Sequence, residues 1–342
     1  MEFLIIGAGA IGTYLGVSLA HAGHGVTFLV RPTSAAILQS HGLSLVQENG
    51  ERWHLSRPRL ATSAAEALRA APHDLAILAL KTYHLPTLLQ TLGDLRAQFP
   101  PLLCLQNGVE SEATLSAFFG PNRVLSGTVT TAVARRRPGE VAVARARGVG
   151  LGQEHPLAVV VAAAFATAGL RPRLYPNAAA MKWSKLLTNL LGNATSAILD
   201  MPPAAIFAHR GLARLEIAQL KEALAVMDAL GLPVVNLPGA SVRPLAWGVR
   251  HLPLALLQPL LYRAVSGGRG NKMPSFHIDL HSGRGQTEVD ALNGAVVRYG
   301  ERLGVPTPVN RLLTETLQAL TAGEIAPDAF RHHPEALLAL WA

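Results

Sequence analysis

A single cysteine, Cys104, in a chain of 342 residues excludes any intrachain disulfide. Such scarcity fits a reducing compartment, and the cytoplasm is the expected location. Lysine is almost as rare: 25 of the 30 cationic side chains are arginine, and the five lysines stand at 81, 182, 185, 221 and 272. Each lysine is therefore a candidate for a specific task. Aromatic residues make up only 5%, and none forms a platform beside the basic cluster Arg135, Arg136, Arg137, Arg145 and Arg147. The net charge of +8 is accordingly not read as a nucleic-acid surface. The apolar start, Met1 to Val30, carries an acidic residue where a signal peptide needs a basic one. The longest other apolar run, Leu157 to Leu170, falls short of the roughly 20 residues that cross a bilayer. The first is read as mature structure and the second as a buried helix, so no membrane contact is expected. Charged residues are few, 15%, but apolar ones reach 49%, a globular balance that excludes disorder as the main theme.

What is present divides into two halves, as the length also suggests at about 150 residues per domain. In the first, β-rich runs alternate with helical stretches: Phe3 to Ile6, a helix through Ala20, Gly25 to Val30, a helix near Ser34 to Ser40, then Leu75 to Leu80 and Leu102 to Leu105. That alternation predicts an α/β domain, a doubly wound parallel sheet of Rossmann type with helices on both faces. Between Leu43 and Arg59, and from Val124 to Leu151, apolar residues alternate with polar or small ones, which predicts appended antiparallel strands. From Asn177 onward a helical period dominates, with turn punctuation at Gly231, Pro233, Gly268, Gly270 and Gly304. The expected domains are a dinucleotide-binding unit over 1–176 and an all-helical substrate and catalytic unit over 177–342. The Leu- and Pro-rich stretch from Pro238 to Gly270 reads as a lid or an insertion.

Gly7, Gly9 and Gly12 form G-x-G-x-x-G, with Ala8, Ala10 and Ile11 between them, directly after an apolar strand and at the opening of a helix. That context separates a dinucleotide fingerprint from a chance glycine turn. The first glycine permits the turn, the second lets a pyrophosphate approach the backbone, and the third lets helix and strand pack closely. The helix N-terminus adds free N–H groups. A second glycine run, Gly148, Gly150 and Gly152, has no helix after it and reads as strand and turn backbone. At the end of the next strand an NAD enzyme carries an acid for the ribose 2′-hydroxyl, whereas this chain has Arg31 and no acid from Phe28 to Thr33. A guanidinium there attracts a 2′-phosphate, so the expected cofactor is NADP(H). Lys81 and Asn107 follow two further strands, at the strand ends where ligands gather in such sheets.

In the second half, Lys185, Asn189 and Asn193 stand at i, i+4 and i+8, so a continuous helix would set them in one stripe. Buried amides need partners, and the stripe is expected to face a polar cleft, although an interhelical hydrogen-bond set would give the same spacing.

These residues resemble the ketopantoate reductase family, in the family's order and over nearly the whole chain. The resemblance rests on GAGAIG with Arg31, LALK around Lys81, LQNGVE around Asn107, KLLTNLLGN from Lys185 to Asn193, and the segment Pro274 to Gly294 containing Ser275, Asp279 and Glu288. It implies NADPH-dependent reduction of a small 2-keto acid, ketopantoate (2-dehydropantoate), to pantoate on the route to pantothenate and coenzyme A. By the same resemblance Lys185 is the general acid to the ketone oxygen, and Glu288 helps hold the lysine or the product hydroxyl. Asn189, Asn193 and Ser275 bind substrate, while Asn107 and Lys81 lie on the cofactor side.

The chain departs from the family at several places. Pro203 stands where the family has a further substrate asparagine, and His84 where many members have glutamine. The substrate could then be a different 2-keto acid, and a non-catalytic NADPH-binding sensor is the reading from another class. A homodimer is compatible with the apolar helical half. His277 and His281 stand at i, i+4 without a third ligand at recognisable spacing, so no metal is expected.

Overall fold

The computed structural model describes residues 1–269, 272–283 and 285–341, so Gly270 lies outside it. By contact density the chain divides into one unit of Met1–Lys182 with Leu237–Ala240, and another of Trp183–Asn236 with Ser241–Ala342. The division falls inside the helix Ala178–Leu190.

Among the described residues the strands of the first unit are β1 (Glu2–Ile6), β2 (Gly25–Leu29), β3 (Leu43–Val46), β4 (Arg52–Leu55), β5 (Arg59–Ala61), β6 (Leu75–Leu78), β7 (Leu102–Cys104), β8 (Val124–Val129), β9 (Ala132–Arg137), β10 (Glu140–Arg145), β11 (Val149–Gly152) and β12 (Pro172–Tyr175). Eight of them form one sheet in the order β12-β11-β8-β7-β6-β1-β2-β5. From β8 to β5 every neighbour is parallel, and β11 turns antiparallel to β8. The parallel strands are continuous apolar runs because both faces are covered. Phe3, Ile5, Ile77 and Leu103 enter the core on one face, and Leu4, Ile6, Ala76, Leu78 and Leu102 that on the other. The chain leaves β1 for β2 and β5 and returns to β6 on β1's other side, which makes the β1/β6 boundary a topological switch point.

The segments expected as appended antiparallel strands divide between two sheets. β3, β4, β9 and β10 form a second sheet in the order β4-β3-β10-β9, with β3 and β10 parallel to each other. β8 and β11 instead widen the main sheet. In the second sheet the arginine cluster has a partner, since Glu140 receives Arg137 at 2.6 Å and Arg52 at 3.0 Å. Gly150 and Gly152 lie in β11, where a Cβ would press on Met181 and Ala178 respectively. The run after Leu157 forms the helix Ala158–Thr167, but as a surface helix rather than a buried one. Ala158, Val161, Ala164 and Phe165 face the core, while Val159 and Val160 are 60% and 51% exposed.

Among its described residues the second unit has helices and no strand, and its longest helix is Arg210–Ala229. The stretch after Pro238 contributes Val242–His251 and Leu254–Arg269. Gly268 therefore lies within a helix and not at a turn. No helix among the described residues is long and apolar enough to cross a membrane.

Candidate functional site

Gly7 has φ +96°, a backbone conformation open to glycine, and its N–H binds the carbonyl of Leu29 at 2.9 Å. A Cβ on Gly12 would collide with the carbonyl oxygen of Gly7, so the helix Ala10–His21 packs onto the turn only because glycine is there. At Gly9 a Cβ would meet nothing within 4 Å. The middle glycine thus faces open space at a helix N-terminus with no acidic residue in its first turn. A pyrophosphate fits this cradle on both steric and electrostatic grounds.

The other residues singled out in this unit follow neighbouring strands on the same edge of the sheet. Arg31 comes after β2, Lys81 after β6 and Asn107 after β7, flanking the glycine loop after β1. Arg31 is exposed, and its Nη2 lies 3.3 Å from Nε2 of His84. His84, which departs from the family, is thereby brought beside the side chain expected to read the cofactor's ribose.

Two residues that the sequence reading passed over hold these loops. Gln106 is 3% exposed, and its Nε2 donates to the carbonyls of Leu80 and Lys81, each at 3.1 Å. Lys182, with a side chain 5% exposed, donates through Nζ to the Gln106 carbonyl at 2.6 Å and lies 2.7 Å from Oε1 of Glu112. A buried ammonium is tolerated because it is paired and hydrogen-bonded. Lysine scarcity was the one sequence signal that could have found it. Cys104, one strand end away, is fully buried, and burial pushes its thiol well above the ordinary value, so it is inert.

In the second unit the expected continuous stripe is interrupted. Lys185 and Asn189 lie one turn apart on Ala178–Leu190, both half-buried beside the buried Leu186, Leu187 and Leu190. The helix stops there, Gly192 takes φ +60°, and Asn193 precedes a new helix, Ala194–Leu199. The break is held from a distance by Glu216, fully buried on Arg210–Ala229. Its Oε2 accepts the Gly192 N–H at 2.7 Å and the Gln219 amide at 2.6 Å.

Displaced from the stripe, Asn193 meets the start of the helix Ser275–Leu280. Its Oδ1 accepts the Phe276 N–H at 3.0 Å, and its Nδ2 donates to Ser275 Oγ at 3.3 Å. Asn193 and Ser275 are thus brought together, with Asn193 only 4% exposed. Glu288 is 2% exposed. It directly precedes Val289 and the wide π-turn Asp290–Gly294, a kind of irregularity frequent at functional sites. Pro203, buried and opening the helix Pro203–Ala208, offers no side-chain hydrogen bond.

Comparison with known proteins covers both units. Residues 3–155 match the family described as Ketopantoate reductase PanE/ApbA, and residues 177–321 match its C-terminal part. The 2-dehydropantoate 2-reductase of Pyrococcus horikoshii is 26% identical over 324 residues, covering 93% of this chain and 97% of that one. The same-named protein of Caulobacter vibrioides is 29% identical over 316 residues, covering 92% and 97%. The crystal structure of a PanE/ApbA family ketopantoate reductase from Ralstonia eutropha JMP134 is similar with a TM-score of 0.79 at 26% identity, over 95% of this chain and 99% of that one. D-mandelate dehydrogenase in complex with NADH and anilino(oxo)acetate shares the fold, with a TM-score of 0.76 at 22% identity, over 94% and 99%. With its glycine cradle, its strand-end residues and both halves matched, the chain belongs to the ketopantoate reductase family of oxidoreductases.

Proposed function

We propose that this protein reduces 2-dehydropantoate to pantoate with NADPH. The observation that carries the reading is the row of Gly9, Arg31, Lys81 and Asn107 along the C-terminal ends of four adjacent strands, in a chain whose relatives bear that enzyme's name. When bound, NADPH supplies the hydride that reaches the ketone carbon. The chain's own residues do the rest. The loop of Gly7, Ala8, Gly9, Ala10, Ile11 and Gly12 receives the pyrophosphate on its N–H groups, and Arg31, with His84 beside it, takes the 2′-phosphate. Lys81 and Asn107 orient the cofactor, their loops fixed through Gln106 and Lys182.

Lys185 hydrogen-bonds the ketone oxygen and gives it a proton as the carbon becomes tetrahedral. A cation placed where alkoxide charge develops is the stabilisation such a step needs. Asn189, one turn on, donates to the substrate, Ser275 binds its carboxylate, and Asn193 holds Ser275 in place. Glu288 orients the lysine or the product hydroxyl. The deciding experiment is Lys185→Ala: turnover collapses while NADPH binding, followed by fluorescence titration, is retained. Loss of both together would remove Lys185 from the acid role, and a wild type that binds NADPH yet turns over no keto acid would favour a sensor.

Pro203 supports one second reading, reduction of another 2-keto acid, because the family's asparagine amide is missing at that position. Specificity constants over a panel of keto acids separate the two. The single buried cysteine agrees with a cytoplasmic reaction.

A further inference from the structure

The helix Ser275–Leu280 carries His277, and His281 follows one turn later, with ring centroids 4.2 Å apart. In sequence these two imidazoles lack a third ligand. The fold supplies one from 77 positions away. Asp200 closes the helix Ala194–Leu199 in left-handed backbone, φ +51°, a conformation that aspartate adopts more readily than most residues. Its Oδ1 lies 2.7 Å from Nε2 of His277, and one ligand atom from each of Asp200, His277 and His281 lies within 4.8 Å of the other two.

We propose that Asp200, His277 and His281 bind a divalent transition-metal ion of the zinc class. Two imidazole nitrogens and one carboxylate oxygen suit Zn2+, Co2+ or Ni2+, whereas Mg2+ and Ca2+ call for oxygen throughout. Ligand atoms around tetrahedral zinc stand about 3.3 Å apart. His277 and Asp200 are already closer than that, and the exposed His281 has the freedom to close the remaining gap. Arg331 donates through Nε to the other carboxylate oxygen of Asp200 at 3.1 Å. That contact leaves Oδ1 for the ion and fixes the plane of the carboxylate, the role outer partners play at metal sites. Its positive charge opposes the ion, but the Arg331 side chain is 57% exposed and water screens it. Three protein ligands leave a fourth position to water.

The ion would clip the helix Ser275–Leu280 to the end of Ala194–Leu199, the pair already joined at its other end by Asn193 and Ser275. It therefore acts on the fold of the second unit and takes no part in the reduction.

The test uses the full-length protein stripped with a chelator and titrated with Co2+ and Zn2+. The proposal expects one Co2+ per chain with visible d–d absorption, displaced by Zn2+, and an unfolding midpoint that rises with Zn2+. His281→Ala changes an exposed side chain and should weaken binding about tenfold or more. Asp200→Asn, which keeps tolerance for the left-handed backbone, should do the same and abolish the Zn2+ shift of the midpoint. Absence of binding in the wild type overturns the proposal, as does stoichiometric binding left unchanged in both variants.

Discussion

Lys182 and Glu112 form an ion pair 2.7 Å across, with side chains only 5% and 16% exposed. The same ammonium binds the Gln106 carbonyl, one residue before Asn107. Replacing Lys182 with Met leaves Glu112 buried without its cation, and breaking such a pair costs about 3 to 5 kcal/mol. Denaturant unfolding should show that loss, and adding Glu112→Gln should recover part of it. In the folded variant the KM for NADPH should rise more than kcat falls. Equal KM values would detach Lys182 from the Asn107 loop.

Arg31→Ala should weaken NADPH while sparing NADH, since a phosphate-paired guanidinium is worth about 1.5 to 3 kcal/mol. Binding titrations with both nucleotides check this. Equal losses for the two would show that Arg31 does not read the 2′-phosphate. His84→Ala should weaken the same nucleotide in the same direction by a smaller factor, because its ring lies 3.3 Å from the guanidinium.

Gly192→Ala forces a side chain into φ +60°, at a cost of about 1 to 2 kcal/mol. Its Cβ would also stand 3.2 Å from that of Pro203. Because the break at Gly192 sets Asn193 against Ser275, the KM for the keto acid should rise while NADPH affinity holds. Thermal unfolding and steady-state kinetics read the two effects separately.

Glu140 titrates below the ordinary carboxylate value of 4.5, through the hydrogen bond from Arg137 and the charges of Arg137, Arg52 and Arg136. A carboxyl lowered in the folded state contributes stability that is present above its unfolded pKa and lost as pH falls through the folded one. Wild type should therefore lose stability on acidification below about pH 4.5 more steeply than Glu140→Gln. Unfolding midpoints measured from neutral pH downward would show parallel curves if the carboxylate contributed nothing.

The glycine cradle was legible in the sequence because its cause is local. Gly7, Gly9 and Gly12 act within a single strand, turn and helix. The buried strand runs were legible too, since Leu75 to Leu78 are apolar at every position. What escaped was set by partners far along the chain. Asn193 belongs to the Lys185 stripe by spacing, and only Glu216, 24 residues beyond Gly192, reveals why the helix stops. Scarcity marks Lys182 as a candidate, but its task shows only when Gln106, 76 positions away, comes against it. The second sheet joins β3 to β10 across some ninety residues, beyond the reach of local alternation.

The central claim is most directly tested by the initial rate of nicotinamide oxidation with purified protein and 2-dehydropantoate, NADPH and NADH being run in parallel. The account predicts turnover with NADPH, at most weak turnover with NADH, and its loss in Lys185→Ala. Equal rates with the two nucleotides would contradict the role given to Arg31. No turnover with either, while NADPH still binds, would contradict the assignment of 2-dehydropantoate as substrate.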